Sequence, residues 1–189
     1  MTKSQKAILE SAKALFWKYG LKKVTVEEIC EQAGVSKMTF YRRFVNKEHA
    51  AEEILEAILE ANMRRYSAVM SQKKSFPEKI SEILHLKHQE SKNMSKEFIE
   101  EIMIEDGSAL NELIQKYTLK STKILIADFE KAKKEGWVRA DLKPEFIIDM
   151  MGVIKSKMQD NQFLKMFKSM DEAIMELSNF FFYGIFVKR

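Results

Sequence analysis

An all-α fold is what this sequence predicts, and three observations predict it. Only 6 Gly and 2 Pro occur among 189 residues. Helix interiors disfavour both, so their scarcity fits long helices joined by few tight turns. Apolar residues recur three and four positions apart along most of the chain. Alternating β-branched runs, the mark of half-buried strands, are nearly absent. With 46% apolar residues, 13 Phe and 12 Met, the chain can bury a sizeable core.

The elements follow in order. Ile8, Ala12, Leu15, Phe16 and Tyr19 give a first helix that Gly20 ends. Thr25 and Glu28 have the spacing of a capping box, in which the hydroxyl caps the new helix and the carboxylate reaches back. That second helix buries Val26, Ile29 and Ala33 and stops at Gly34. Ser36 caps a third helix that begins Lys37, Met38, Thr39 and turns Phe40 and Phe44 inward. A long helix is expected from Lys47 to about Met70, with apolar rows Ile54, Ile58, Ala61 and Leu55, Leu59, Tyr66. Another starts near Pro77 and ends near Asn93. Phe98, Ile99, Ile102 and Met103 mark a short one that Gly107 breaks. A long helix then runs from Ala109 to Glu135 and Gly136 closes it. Two more follow, from about Pro144 to Gln159 and from Asp171 almost to Arg189. No internal repeat or low-complexity tract interrupts this plan. The domain boundary is expected at a helix start, giving residues 1–46 and 47–189.

Charge separates these two parts. Residues 1–47 carry 10 Lys/Arg against 4 Asp/Glu, whereas the remainder is slightly acidic. A positive end on an otherwise balanced chain fits a polyanionic partner. The single cysteine, Cys30, excludes an internal disulfide and fits a reducing cytoplasm. No signal peptide and no membrane-spanning helix is expected, because no apolar run reaches the required length of about 18 residues. His85 and His88, with Glu82 and Glu90 near, have a spacing that could serve a metal, but such a pair is usually solvated or packed, and no cofactor or metal is expected. Three histidines and one cysteine, far apart in sequence, assemble no nucleophile–base pair, so an enzyme is not expected.

On a helix turning about 100° per residue, Met38 and Arg42 point away from Phe40 and Phe44, with Thr39, Tyr41 and Arg43 on the flanks and Lys37 at the exposed end. Such a face suits a DNA major groove. Arginine makes paired bonds to guanine, methionine or threonine touches a thymine methyl, and lysine or tyrosine reaches phosphate. On this wheel Arg42 is the base reader.

Residues 25–48, TVEEICEQAGVSKMTFYRRFVNKE, closely resemble the signature of the tetracycline-repressor family. The capping threonine, the Ala33-Gly34-Val35-Ser36 turn, Tyr41-x-x-Phe44 and Lys47-Glu48 all match. Ala14, Leu15, Phe16 and Gly20 resemble the family's first helix. Residues 136–144 echo more weakly the turn between its long C-terminal helices. The resemblance implies a three-helix, helix-turn-helix DNA-binding domain followed by a helical ligand-binding and dimerisation domain. It implies that Lys37, Met38, Thr39 and Tyr41 face the groove, and that Thr25, Tyr41, Arg43 and Lys47 clamp phosphates.

The last helix is apolar nearly all round, through Ala173, Ile174, Leu177, Phe180, Phe181, Phe182, Ile185 and Phe186. Such a helix must be buried on more than one side, either in its own core or against a second copy. Together with the preceding helix it would form a four-helix dimer interface, for which Phe146, Met150, Ile154, Ile174, Leu177, Phe181 and Ile185 are the candidates. Residues 48–189 hold 10 of the 12 Met, and methionine suits an adaptable cavity as well as an ordinary core. Candidate ligand-lining residues are Met94, Phe98, Ile102, Met103, Tyr117, Trp137 and Met151. The function expected is a dimeric regulator that binds a near-palindromic double-stranded operator and is released by a small apolar or amphipathic effector. In the alternative, the C-terminal body answers to a protein partner; an all-helical enzyme is the remote third reading.

Overall fold

The computed structural model describes residues 1–91, 95, 97, 98, 101, 108–157 and 160–185. At 87–91, 144, 151, 155, 161, 170, 171 and 174 the description is of the backbone. Among the described residues the elements are helices throughout: α1 Lys3–Tyr19, α2 Val26–Ala33, α3 Lys37–Tyr41, α4 Lys47–Met70, α5 Phe76–Ser91, α6 Ala109–Lys134, α7 Pro144–Lys157, α8 Asn161–Leu164 and α9 Met170–Ile185. The all-α expectation holds, and the limits of α2 and α4 and the start of α3 fall where the caps and periodicity placed them. The sequence carries α3 on to Phe44, whereas the helix ends at Tyr41, where Arg43 N–H bonds to Phe40 O at 2.9 Å and tightens the turn. None of these helices is long and apolar enough to cross a membrane.

One element was not expected. α8 breaks the connection between α7 and α9, and Asp160 starts it by accepting the amides of Gln162 and Phe163 at 2.9 and 3.2 Å. Gln159 and Gly107, where sequence placed a helix end and a break, lie outside the described residues.

The chain forms two compact units. The first comprises Met1–Asn62 and Asn93–Tyr117, the second Met63–Lys92 and Thr118–Arg189. Position 46/47, the expected boundary, is the start of α4 within the first unit.

Phe16, Phe40 and Phe44 are fully buried in the first unit, with Ile8, Ala12, Val24 and Ile29 around them. Ala50, Ala51, Ile54 and Leu55 of α4 join this core, as do Phe98 and Leu110. Truncating one such phenylalanine to alanine costs about 3–5 kcal/mol, a large share of a small domain's stability. Cys30 belongs to the same core, and burial pushes its thiol up, so it packs as a protonated side chain.

The second unit is built on Phe76, Ile80, Phe129, Val138, Leu142, Ile147, Phe181 and Ile185. Phe76 meets Phe129 edge-on at 5.0 Å. α6 ends in a Schellman turn, with Gly136 N–H on Lys133 O and Trp137 N–H on Ala132 O at 3.1 and 2.9 Å. Tyr66 donates to Asp128 at 2.9 Å, and burial followed by that carboxylate raises its phenol above the ordinary range.

Candidate nucleic-acid interface

The interface begins with two caps. Thr25 Oγ1 accepts the Glu28 amide at 3.2 Å and donates to Glu28 Oε2 at 2.9 Å, while that oxygen also accepts the Thr25 amide at 2.7 Å. This reciprocal box starts α2. Its bonds hold the Glu28 carboxyl below the usual carboxylate range, the Thr25 amide contributing most. α2 closes with Val35 N–H on Cys30 O at 3.0 Å and Gly34 N–H on Glu31 O at 3.2 Å. Gly34 sits at φ +64°, ψ 37°, a left-handed conformation that the absence of Cβ makes cheap. Ser36 then caps α3 through the Thr39 amide at 3.2 Å, and the two hydroxyls lie 3.0 Å apart.

α3 is a helical segment of only five residues, but its bonding continues. Arg42 N–H reaches Met38 O at 3.0 Å, and Phe44 N–H reaches Phe40 O at 2.9 Å. The periodicity therefore extends far enough to bury both Phe40 and Phe44 and to leave the opposite face in solvent. Met38 is 70% exposed and Tyr41 54%. Arg42 and Lys37 are also exposed. Val45, in the bend that follows, is a further exposed apolar residue that sequence reasoning missed. Its signal is only that an apolar residue lies off the buried period.

Neighbouring charges divide the cations into used and available groups. Lys37 is bonded to Glu27 of α2; that bond raises the ammonium's pKa and lowers the carboxylate's. Arg43 Nη2 lies 3.2 Å from Glu53 Oε1 on α4. Lys47, expected as a phosphate clamp, is placed differently: its ammonium donates to the carbonyls of Leu21, Lys22 and Val24 at 2.8, 3.1 and 2.8 Å. An ammonium has three donors, and all three are taken. Thr25 and Thr39 likewise spend their hydroxyls locally. Among the described residues, Arg42 has no ion-pair partner.

The other expected sets are only partly assembled. Phe98 packs on Trp17 with ring centroids 4.4 Å apart and lines an apolar void with Phe16, Ala51, Ile54, Leu55 and Leu110 that has no room for water. Tyr117 is buried in the same unit, its hydroxyl 3.5 Å from both Glu56 and Glu60. Trp137 packs on the core of the second unit. Met94, Ile102 and Met103 lie outside the described residues, as does the Met151 side chain. Of the interface candidates, Phe181 and Ile185 are buried inside their own unit, 6% and 2% exposed. Met150 and Ile154 pack half-buried on that core, Leu177 is half-buried, and the Ile174 side chain is not described. Phe146 is exposed, and so are Phe180 and Tyr183, at 78% and 79%.

An all-helical chain with a capped helix-turn-helix at its N-terminal end and a solvent-facing, partly cationic third helix is of the helix-turn-helix DNA-binding class. Residues 8–57 match the family of bacterial regulatory proteins of the tetR type. Nucleoid occlusion factor SlmA of Vibrio campbellii is 33% identical over 67 residues, covering 35% of this chain and 34% of that protein. The chain thus spans about a third of the length of this curated relative. Two solved structures share the fold over nearly the whole chain. The fatty acid degradation regulator FadR from Bacillus halodurans has a TM-score of 0.76 and 17% identity, covering 97% of this chain and 96% of that one. SmeT, repressor of the Stenotrophomonas maltophilia multidrug efflux pump SmeDEF, solved with triclosan, has a TM-score of 0.75 and 17% identity, covering 99% and 93%.

Proposed function

We propose that this protein is a sequence-specific transcriptional regulator that binds a near-palindromic operator as a homodimer. The observation that carries the reading is the face of α3. Met38, Tyr41 and Arg42 stand in solvent on a short helix whose other side is sealed by Phe40 and Phe44. A bare surface of one cation, one aromatic and one thioether has little structural use, but it supplies what base edges and thymine methyls need. In this reading Arg42 reads a base, Met38 and Tyr41 line the groove, and Lys37 meets DNA once Glu27 releases it. Residues 1–46 are the DNA-binding part, and residues 47–189 the effector-binding and dimerising part. Two recognition helices would meet successive major grooves about 34–36 Å apart. A small apolar or amphipathic effector that releases the operator is supported by the methionine-rich C-terminal body and by the triclosan complex of SmeT, a protein of the same fold.

Selection of bound duplexes from a random pool tests this directly. The wild-type protein should enrich an inverted repeat. Arg42→Ala should relax preference at one position per half-site, at a cost of about 1–3 kcal/mol for each base it no longer reads. Enrichment of no duplex, or an Arg42→Ala profile identical to wild type, refutes the assignment.

A further inference from the structure

The turn between α1 and α2, residues 20–24, is held by side chains from outside it. Gly20 N–H still bonds back to Phe16 O at 2.9 Å. Beyond that point the Glu101 carboxylate accepts the amides of Leu21 and Lys22, the latter at 3.3 Å. The Lys47 ammonium takes the carbonyls of Leu21, Lys22 and Val24. Leu21 therefore has its amide on an anion and its carbonyl on a cation, from residues 80 and 26 positions away. Charge-assisted bonds of this kind are roughly twice as strong as neutral ones.

Neighbouring residues seat Glu101. The Ser95 amide donates to Trp17 O at 2.8 Å, closing the last turn of α1. Phe98 lies against Trp17 and is buried. Glu97 lies 4.0 Å from Lys23. Gly20 makes room for the carboxylate: a Cβ there would lie 3.0 Å from Glu101 Oε1 and 3.2 Å from Glu97 Cβ, at a φ of +84° that L residues rarely adopt. The turn leads directly into Thr25, the cap of α2, so a displacement of residues 21–24 is passed to α2 and from there to α3.

We propose that Glu101 and Lys47 are positioning residues for the DNA-binding surface, clamping the turn at residues 20–24 by its amides and its carbonyls and so fixing where α2 begins. The proposal rests on the DNA-binding reading above. It gives Lys47 a role without phosphate binding. It also makes the residues around Glu101 a point from which operator affinity is controlled without touching α3.

Amide hydrogen exchange on the full-length protein, read together with operator affinity at several salt concentrations, tests it. Glu101→Ala should speed exchange at Leu21 and Lys22 by roughly tenfold or more while Ile29 and Phe40 keep wild-type rates. It should also weaken operator binding without changing the salt slope, since no cation is withdrawn from the phosphates. Glu101→Gln, which keeps an acceptor but no charge, should fall between and serves if the alanine variant does not fold. Lys47→Ala should weaken binding at unchanged slope. The proposal is overturned if exchange at Leu21 and Lys22 stays at the wild-type rate in both Glu101 variants. It is also overturned if exchange rises but operator affinity does not move, or if Lys47→Ala lowers the slope by about one unit. Wild-type protein that selects no duplex would instead sink the DNA-binding reading, with the exchange rates still reporting on the clamp.

Discussion

Arg43 Nη2 and Glu53 Oε1 lie 3.2 Å apart, joining the turn after α3 to α4, and His49 Nε2 approaches the same oxygen at 3.8 Å. Arg43 is about half exposed, so the pair contributes at most about 1 kcal/mol to stability. Its larger effect is to hold a cation that could otherwise meet a phosphate. Glu53→Gln should therefore tighten DNA binding and steepen the salt dependence by up to about 0.9 unit for each further phosphate neutralised. Fluorescence anisotropy titrations across a salt series would measure both; an unchanged slope means that Arg43 does not reach the backbone.

The capping box at Thr25 and Glu28 sets a pH limit. Glu28 titrates below its ordinary value of 4.5 in the folded protein. A carboxylate with a lowered folded pKa stabilises above its unfolded pKa, and that stability is lost as pH falls through the folded value. Glu27, Glu78, Glu82 and Asp160 shift in the same direction. Thermal melts should hold level near neutrality and fall as pH drops below about 4.5, and Glu28→Gln should make that fall shallower. Thr25→Ala should cost about 1 kcal/mol at neutral pH. An acid limb that Glu28→Gln leaves unaltered would exclude this carboxylate as a contributor.

Gly34 is required for its conformation and not for space, since a Cβ there meets nothing within 4 Å. Gly34→Ala should destabilise by about 1–2 kcal/mol, the cost of holding an alanine in the left-handed region. Gly34→Asn should cost less, because asparagine tolerates that region better. Urea unfolding of both variants checks the order; equal costs would point to a steric cause instead.

Phe180 and Phe181 are adjacent but face opposite fates. Phe181 is buried in its own unit, whereas Phe180 and Tyr183 stand on the exposed face of α9. Phe181→Ala should cost about 3–5 kcal/mol in stability. Replacing Phe180 and Tyr183 together by glutamate should convert the proposed dimer to a monomer with its helical signal retained. Sedimentation at micromolar concentration separates the cases, and a dimer that survives the double substitution would place the interface elsewhere.

Local structure was legible in the amino-acid order alone: the caps at Thr25 and Ser36, the stop at Gly34, the inward Phe40 and Phe44, and α4 from Lys47 to Met70. These features can be read because the hydrogen bonds and side-chain spacings involved close within a few residues. Folding in three dimensions settled which distant partner claims each side chain. Lys47 looked free for phosphate until carbonyls 26, 25 and 23 positions away took its donors. Arg43 met Glu53, and Leu21 met Glu101 across 80 residues. Three consecutive phenylalanines in α9 are apolar all round, so the hydrophobic pattern gives the helix no preferred face. Burial of Phe181 and exposure of Phe180 came only from the neighbours that pack against the helix, because hydrophobic burial has no direction of its own and ion pairs form by distance in space, not by spacing along the chain.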